Sequence, residues 1–174
     1  MVNSTELSLY PKGYYNLLDK KNFMDKFKNK IPPTILTLLF LIFNYILSFN
    51  FLKIDVPYKY FCTTLLLILG FYIIVRSSRL FAQAKTSIDP LRPFKSTSLI
   101  TNDIYKYSRN PMYFGYLLII LGSLVYLGNI ISIIVIPLFI FTFNFFQIIP
   151  EEEALKDLFG PRYDEYLSNV RRWI

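Results

Sequence analysis

The sequence predicts an all-α, polytopic integral membrane protein with about four transmembrane helices, both termini in the cytosol, and amphipathic helices at its C-terminal end. Three observations predict it. The 174 residues are 53% hydrophobic and only 18% charged, a charge content low for a soluble domain. The apolar residues gather in long blocks, giving a mean hydropathy of +0.37. The basic residues flank those blocks, and do so unevenly.

Residues 1–30 form a basic N-terminal segment in which Leu17, Leu18, Phe23, Met24 and Phe27 interleave with lysines at helical spacing. Such a segment reads either as an amphipathic helix on an anionic membrane surface or as a solvated tail. Residues 31–174 read as a single membrane domain. Its spans are expected at about 31–52, 57–75, 111–128 and 130–149. Each is close to the length needed to cross ~30 Å of hydrocarbon. Pro32 and Pro33 suit the opening turn of the first, and Pro137 predicts a kink in the fourth. Gly128 and Asn129 alone separate the last two spans, which implies a tight antiparallel hairpin.

Charge sets the expected orientation. With both termini and the loop 76–110 on one side, that side carries 17 Lys and Arg residues and the other only Lys53 and Lys59. The positive-inside rule then places the termini and the loop in the cytosol. The formal charge of +7 follows this topology and forms no stripe on a soluble face, so nucleic acid is not an expected partner. Membrane lipids are.

The chain has no histidine and one cysteine, Cys62, inside an apolar run. This excludes Ser–His and Cys–His catalysis and argues against a zinc or transition-metal site. No cleavable signal peptide is apparent.

Two stretches carry more than membrane anchoring requires. Residues 108–116, SRNPMYFGY, open the third span, and Glu151, Glu152 and Glu153 follow the fourth. The tight hairpin brings them together at the cytosolic surface, a cationic and aromatic helix start facing a triple carboxylate. Such a cluster can bind a polar ligand carrying both charge signs. Simpler readings stand beside this one. Asn110 and Pro111 suit N-cap and N1 positions, Arg109 obeys the charge rule, and Tyr113 and Tyr116 suit an aromatic belt. The glutamates suit a helix dipole, with Glu152 pairing to Lys156. In the tail, a helix from Pro150 should stop at Gly160 and restart at Pro161, with Tyr163, Tyr166, Leu167, Val170 and Trp173 on one packing face.

The stretch Lys95–Gly115, KSTSLITNDIYKYSRNPMYFG, resembles the isoprenylcysteine carboxyl methyltransferase and phospholipid methyltransferase family. The matching pieces are Leu99-Ile100-Thr101, Ile104-Tyr105, Arg109 through Gly115, Glu151-Glu152, Leu155, Phe159-Gly160 and the tyrosines 163 and 166; VRRWI is similar to the ending of compact bacterial members. The resemblance runs over residues 76–174 and departs at three positions. Asn110 replaces the family's usual histidine, Asp103 stands where glycine is usual, and Gln147 stands where members acting on prenylcysteine carry arginine.

The resemblance implies a methyltransferase dependent on S-adenosylmethionine, with no metal, whose cytosol-facing cup binds the methyl donor. By similarity, Thr97, Ser98, Leu99, Ile100, Tyr105, Asn110, Pro111, Met112, Tyr113 and Glu151 would hold the donor, and Arg109 and Glu152 would be catalytic. The acceptor would be lipid-like or amphipathic, a small molecule or a lipidated protein, offering a carboxylate, thiol or amine. The rival expectation is a non-enzymatic membrane scaffold or transport subunit with a decayed site.

Overall fold

The computed structural model describes residues 30–49, 53–87 and 95–174. The N-terminal segment expected over 1–30 therefore lies outside the described residues, apart from Lys30. Among the described residues all regular structure is helical, with one isolated β-bridge, Lys53 to Asn129, joining two turns.

Helix α1 is Pro33–Leu47 and α2 is Lys59–Gln83; after a 3-10 turn at Asp103–Lys106 comes α3, Pro111–Leu127. A second 3-10 turn at Ile131–Ile134 leads into α4, Val135–Phe143, a π-helical turn at Asn144–Ile148, and α5, Ile149–Phe159. Helix α6 is Pro161–Asn169. Two helices are long and apolar enough to cross a membrane, α2 and the continuous stretch Ile131–Phe159, while α1 and α3 are shorter apolar helices.

Three boundaries differ from the sequence expectation. The first span was expected to run to residue 52, but α1 ends at Leu47. The second span was expected to end at residue 75, but α2 runs on to Gln83. Arg76 and Arg79 end the apolar run without ending the helix, because Arg76 pairs with Asp103 and the buried Ser77 needs no break. The glutamates were expected on a separate helix opened by Pro150. Instead they continue the fourth span through the π turn. Proline lacks the N–H that would bond four residues back, and a π turn just before it absorbs the irregularity. Pro137 sits in the first α turn after the 3-10 turn at Ile131–Ile134.

Helices α2 and α3 pack through small residues. Thr63, Gly70 and Ser77 are buried at heptad spacing along α2, and Gly115 and Gly122 face them from α3. A Cβ placed on Gly70 would lie 2.8 Å from the carbonyl oxygen of Gly115, and one on Gly115 would lie 2.7 Å from Ile74 Cγ1. The backbones touch here, and any side chain would part them. The hydroxyl of Thr63 donates to the Gly122 carbonyl at 3.2 Å.

On the opposite face of α3, α1 and α4 form an aromatic core with Phe40, Phe139 and Phe143, where the Phe139 and Phe143 rings stack at 4.1 Å. Three amides tie α1 in place. Asn44 donates to Ser123 Oγ at 2.8 Å, Asn129 to the Leu47 carbonyl at 2.9 Å, and Gln147 to the Ile31 carbonyl at 2.8 Å. The α3–α4 connection is tight, as expected. Gly128 takes φ +61, and its backbone lies so close to Ile54 O that a side chain has no room.

Candidate functional site

Each wall of the site starts from a local choice in the sequence. Pro111 opens α3 as its N1 residue and aims Met112 and Tyr113 at the start of α5. Asn110 occupies the N-cap position, yet its side chain makes no cap hydrogen bond. Its amide instead donates to the carbonyl of Arg172 at 3.0 Å, and the residue is buried. The 3-10 turn Asp103–Lys106 supplies Tyr105, whose ring meets Phe81 of α2 edge-on at 5.8 Å. The phenol of Tyr166 donates to the Tyr105 carbonyl at 2.7 Å, fixing that turn from the α6 side. Burial pushes the Tyr105, Tyr163 and Tyr166 phenols well above their ordinary range, so they remain protonated donors.

Between these walls lies a narrow cleft with about 70 Å³ of interior free space, inside about 780 Å³ of lined space that opens to solvent. Ser98, Leu99, Ile100, Tyr105, Arg109, Asn110, Met112, Tyr113, Glu151 and Glu152 all line it. The structure thus brings together most of the residues singled out from the sequence. Two stand apart. Thr97 is exposed and its N–H donates to Thr86 Oγ1 at 2.8 Å; Pro111 is buried at the helix start.

The two central glutamates have different surroundings. Glu151 accepts a 2.8 Å hydrogen bond from the phenol of the buried Tyr113. No cation pairs with it among the described residues. This places Tyr113 inside the site and not in an aromatic belt. Glu152 is held by two arginines. Arg109 donates to its Oε1 through Nε at 3.1 Å and Nη2 at 2.9 Å, and Arg172 donates to Oε1 at 3.2 Å and Oε2 at 2.6 Å. The side chains of Arg109 and Glu152 are only 12% and 13% exposed, so these charge-assisted bonds are strong. Lys156, expected to pair with Glu152, pairs with Asp164 at the surface instead.

Arg109 is also fixed by backbone. Its Nη1 donates to the Val170 carbonyl at 2.6 Å and to that of Leu167 at 3.3 Å, and its N–H donates to the Arg171 carbonyl at 2.9 Å. The guanidinium expected to take a ligand carboxylate is thus engaged with Glu152 and with the segment after α6.

Sequence reasoning missed several lining residues, among them Phe81, Ser96, Leu155, Tyr163 and Tyr166. Phe81 was placed in a loop because the helix was ended too early. Leu155 and the two tyrosines were read as packing residues and as pieces of the family resemblance, but not as members of the site. Gln147 is almost fully buried in the π turn, bonded to the start of α1 and not among the lining residues. No group of metal-ligating side chains occurs among the described residues.

The sequence that builds this fold and cleft matches a known family. A family profile described as phospholipid methyltransferase matches residues 58–162, more than half of the chain, and the chain belongs to that family. Among curated relatives, the protein-S-isoprenylcysteine O-methyltransferase of Schizosaccharomyces pombe is 36% identical over 76 residues, covering 44% of this chain and 32% of that protein. Protein-S-isoprenylcysteine O-methyltransferase B of Arabidopsis thaliana is 34% identical over 85 residues, 49% of this chain and 43% of the relative. An uncharacterized protein of Haemophilus influenzae is 41% identical over 63 residues, its whole length and 36% of this chain. The similarity to the two named methyltransferases thus spans less than half the length of each. No solved structure gives a significant match.

Proposed function

We propose that the protein is an S-adenosylmethionine-dependent methyltransferase of the membrane, acting on a lipid-like or amphipathic acceptor at the cytosolic face. On this reading the chain crosses the bilayer four times, the termini and the loop after α2 are cytosolic, and the cleft opens toward the cytosol. The charge asymmetry of the flanks supports that orientation. The observation that carries the functional reading is the pairing of a half-buried carboxylate, Glu151, which has no cation partner among the described residues, with a cleft walled by Phe81, Tyr105, Ser96, Ser98, Leu99 and Ile100.

These residues suit the donor. Glu151, aimed by Tyr113, is the group to bind an ammonium or ribose hydroxyls, and the Phe81–Tyr105 wall offers an aromatic surface for a purine. When bound, S-adenosylmethionine supplies a methyl group on a sulfonium centre, open to direct displacement by the acceptor nucleophile. The enclosed free space is far below the several hundred Å³ of a ligand-sized pocket, so the cleft must widen on binding. Met112 and Leu155 line it with apolar surface that limits water around the reacting groups. Most of the acceleration is assigned to positioning.

The arrangement favours different roles for the residues read as catalytic. Arg109 and Glu152 hold each other and the segment after α6, and so position the cleft; Glu151 is the carboxylate placed to meet a ligand. A carboxylate acceptor needs no base. An amine acceptor must lose a proton, and Glu151, unlike the arginine-held Glu152, is placed to take it. Asn110 in place of histidine fits this scheme, since its amide bonds to the Arg172 carbonyl and carries no proton-transfer duty.

Calorimetry with S-adenosylmethionine on detergent-purified protein, beside Glu151→Gln, tests the proposal. Saturable binding by the wild type, weakened at least tenfold in a variant of unchanged melting temperature, is expected. An acceptor screen with labelled methyl donor, covering prenylcysteines and aminophospholipids, then names the substrate. Absence of binding in both detergent and lipid overturns the enzyme reading and leaves a scaffold role in its place.

A further inference from the structure

The segment 167–173 follows α6 and is bound at several points to residues that line the cleft. The Leu167 and Val170 carbonyls accept from Arg109, the Arg172 carbonyl accepts from Asn110, and the Trp173 indole donates to Asn144 Oδ1 at 3.1 Å. Asn144 opens the π turn that leads into Glu151 and Glu152, and Trp173 packs against the aromatic core. Along this strap one charged side chain bonds to a residue that lines the cleft. The guanidinium of Arg172 grips both oxygens of Glu152, the shorter contact at 2.6 Å.

We infer that Arg172 is a positioning residue for methyl-donor binding: by sharing Glu152 with Arg109, it keeps the charge of that carboxylate engaged at the cleft wall and leaves Glu151 as the lining carboxylate free of a cation to meet the ligand. This rests on the proposal that the cleft binds S-adenosylmethionine. The physical argument is one of charge and aim. Glu152 directly follows Glu151 on the first turn of α5, so a Glu152 released from one arginine can turn its charge toward the same ligand groups. Arg109, left to satisfy Glu152 alone, must loosen its bonds to the Leu167 and Val170 carbonyls, and the strap loosens with it. A lysine at the position would keep the charge but lose the two-pronged grip.

Arg171 supplies the control. It is exposed, its side chain is not part of the cleft, and only its carbonyl is used, by the Arg109 N–H. Arg171→Gln removes the same charge from the same strap without touching Glu152. Trp173 supplies an independent readout, as the only tryptophan in the chain. The experiment measures S-adenosylmethionine affinity by calorimetry and acrylamide quenching of Trp173 in full-length wild type, Arg172→Gln, Arg172→Lys and Arg171→Gln.

The expected result is donor binding about tenfold weaker in Arg172→Gln, the scale of a lost hydrogen bond between charged groups. Arg172→Lys should fall between it and the wild type, and Arg171→Gln should match the wild type. Trp173 should become more quenchable in Arg172→Gln alone. Wild-type affinity in Arg172→Gln overturns the inference even where quenching rises, since the strap is then structural only. If Arg172→Gln does not fold, Arg172→Lys decides, and wild-type affinity there overturns it. A wild type that binds no donor overturns the parent reading as well, so the two failures are told apart.

Discussion

The α2–α3 interface and the charged knot beside it are built on opposite principles. Between α2 and α3, Gly70 and Gly115 bring backbone against backbone, and one weak hydroxyl bond is the polar contribution found there. A short distance away, Glu152, Arg109 and Arg172 are held by directed charge-assisted bonds in a partly buried setting. The first region depends on volume and tolerates nothing larger; the second depends on charge and direction. The difference teaches where stability and function separate. The close-packed pair fixes the wall that carries Tyr113, while the knot decides which carboxylate the cleft presents.

The harshest way to break this comparison is to add volume where the backbones touch. Gly115→Leu must displace the Gly70 carbonyl and Ile74 together. Overpacking of this kind costs about 1–3 kcal/mol even where side chains can yield, and here one obstacle is backbone. The expected outcome is no monodisperse protein by size exclusion in detergent. A Gly115→Leu protein with wild-type melting would show that the two helices are not held by close approach.

Removing charge should cost less and act differently. Glu152→Gln leaves two arginines facing a neutral amide. Breaking a buried pair by deleting one partner costs about 3–5 kcal/mol, and Arg172 is exposed enough to lower that to roughly 2 kcal/mol. Glu151→Gln keeps the Tyr113 bond, since an amide oxygen still accepts, and should leave stability within about 0.5 kcal/mol. The pair therefore sharpens the contrast. Denaturant or thermal unfolding should single out the Glu152 variant, and donor binding should single out the Glu151 variant even at full folding. Equal behaviour of the two in both measurements would erase the distinction drawn between the carboxylates.

Much of this was legible in the sequence because two strong signals run along the chain. Apolar block length located the four main helices, and the order of Arg109, Asn110 and Tyr113 against Glu151 and Glu152 picked out residues that line one cleft. What stayed hidden was of another kind. No periodicity announces that the fourth span flows through a π turn into the glutamates, although Pro150 inside an unbroken helical pattern was the available sign. The split between Glu151 and Glu152 depends on which side chains meet across the tertiary fold, and adjacent identical residues carry no such information. Arg172 was passed over for the same reason. A paired cation in a chain so poor in charge, with three clustered carboxylates, was nevertheless a signal of buried pairing.

The mildest test concerns the turn that carries Tyr105. Asp103 sits at φ +55, pairs with Arg76 about two turns before the end of α2, and accepts from the Ile104 N–H at 2.8 Å. Its hydrogen bonds to Arg76, ahead of its bond to Ile104, hold its carboxyl below the usual range. The sign follows from linkage. The ionised form is favoured in the folded state, so its contribution is complete above the ordinary aspartate value of about 4 and is lost as pH falls through the lower folded value. Glycine at this position removes that contribution but adopts positive φ freely. Asp103→Gly should therefore differ little from wild type at neutral pH, where loss of an exposed pair and relief of the backbone oppose each other. Below pH 4 the wild type loses its pair while the glycine keeps its backbone advantage, so the variant should melt higher. Asp103→Asn, which tolerates the same backbone region without charge, should melt below the wild type at neutral pH and converge with it in acid. Parallel melting curves across pH for all three would mean that Arg76 does not hold this turn, and that the Tyr166 bond to the Tyr105 carbonyl fixes the wall alone.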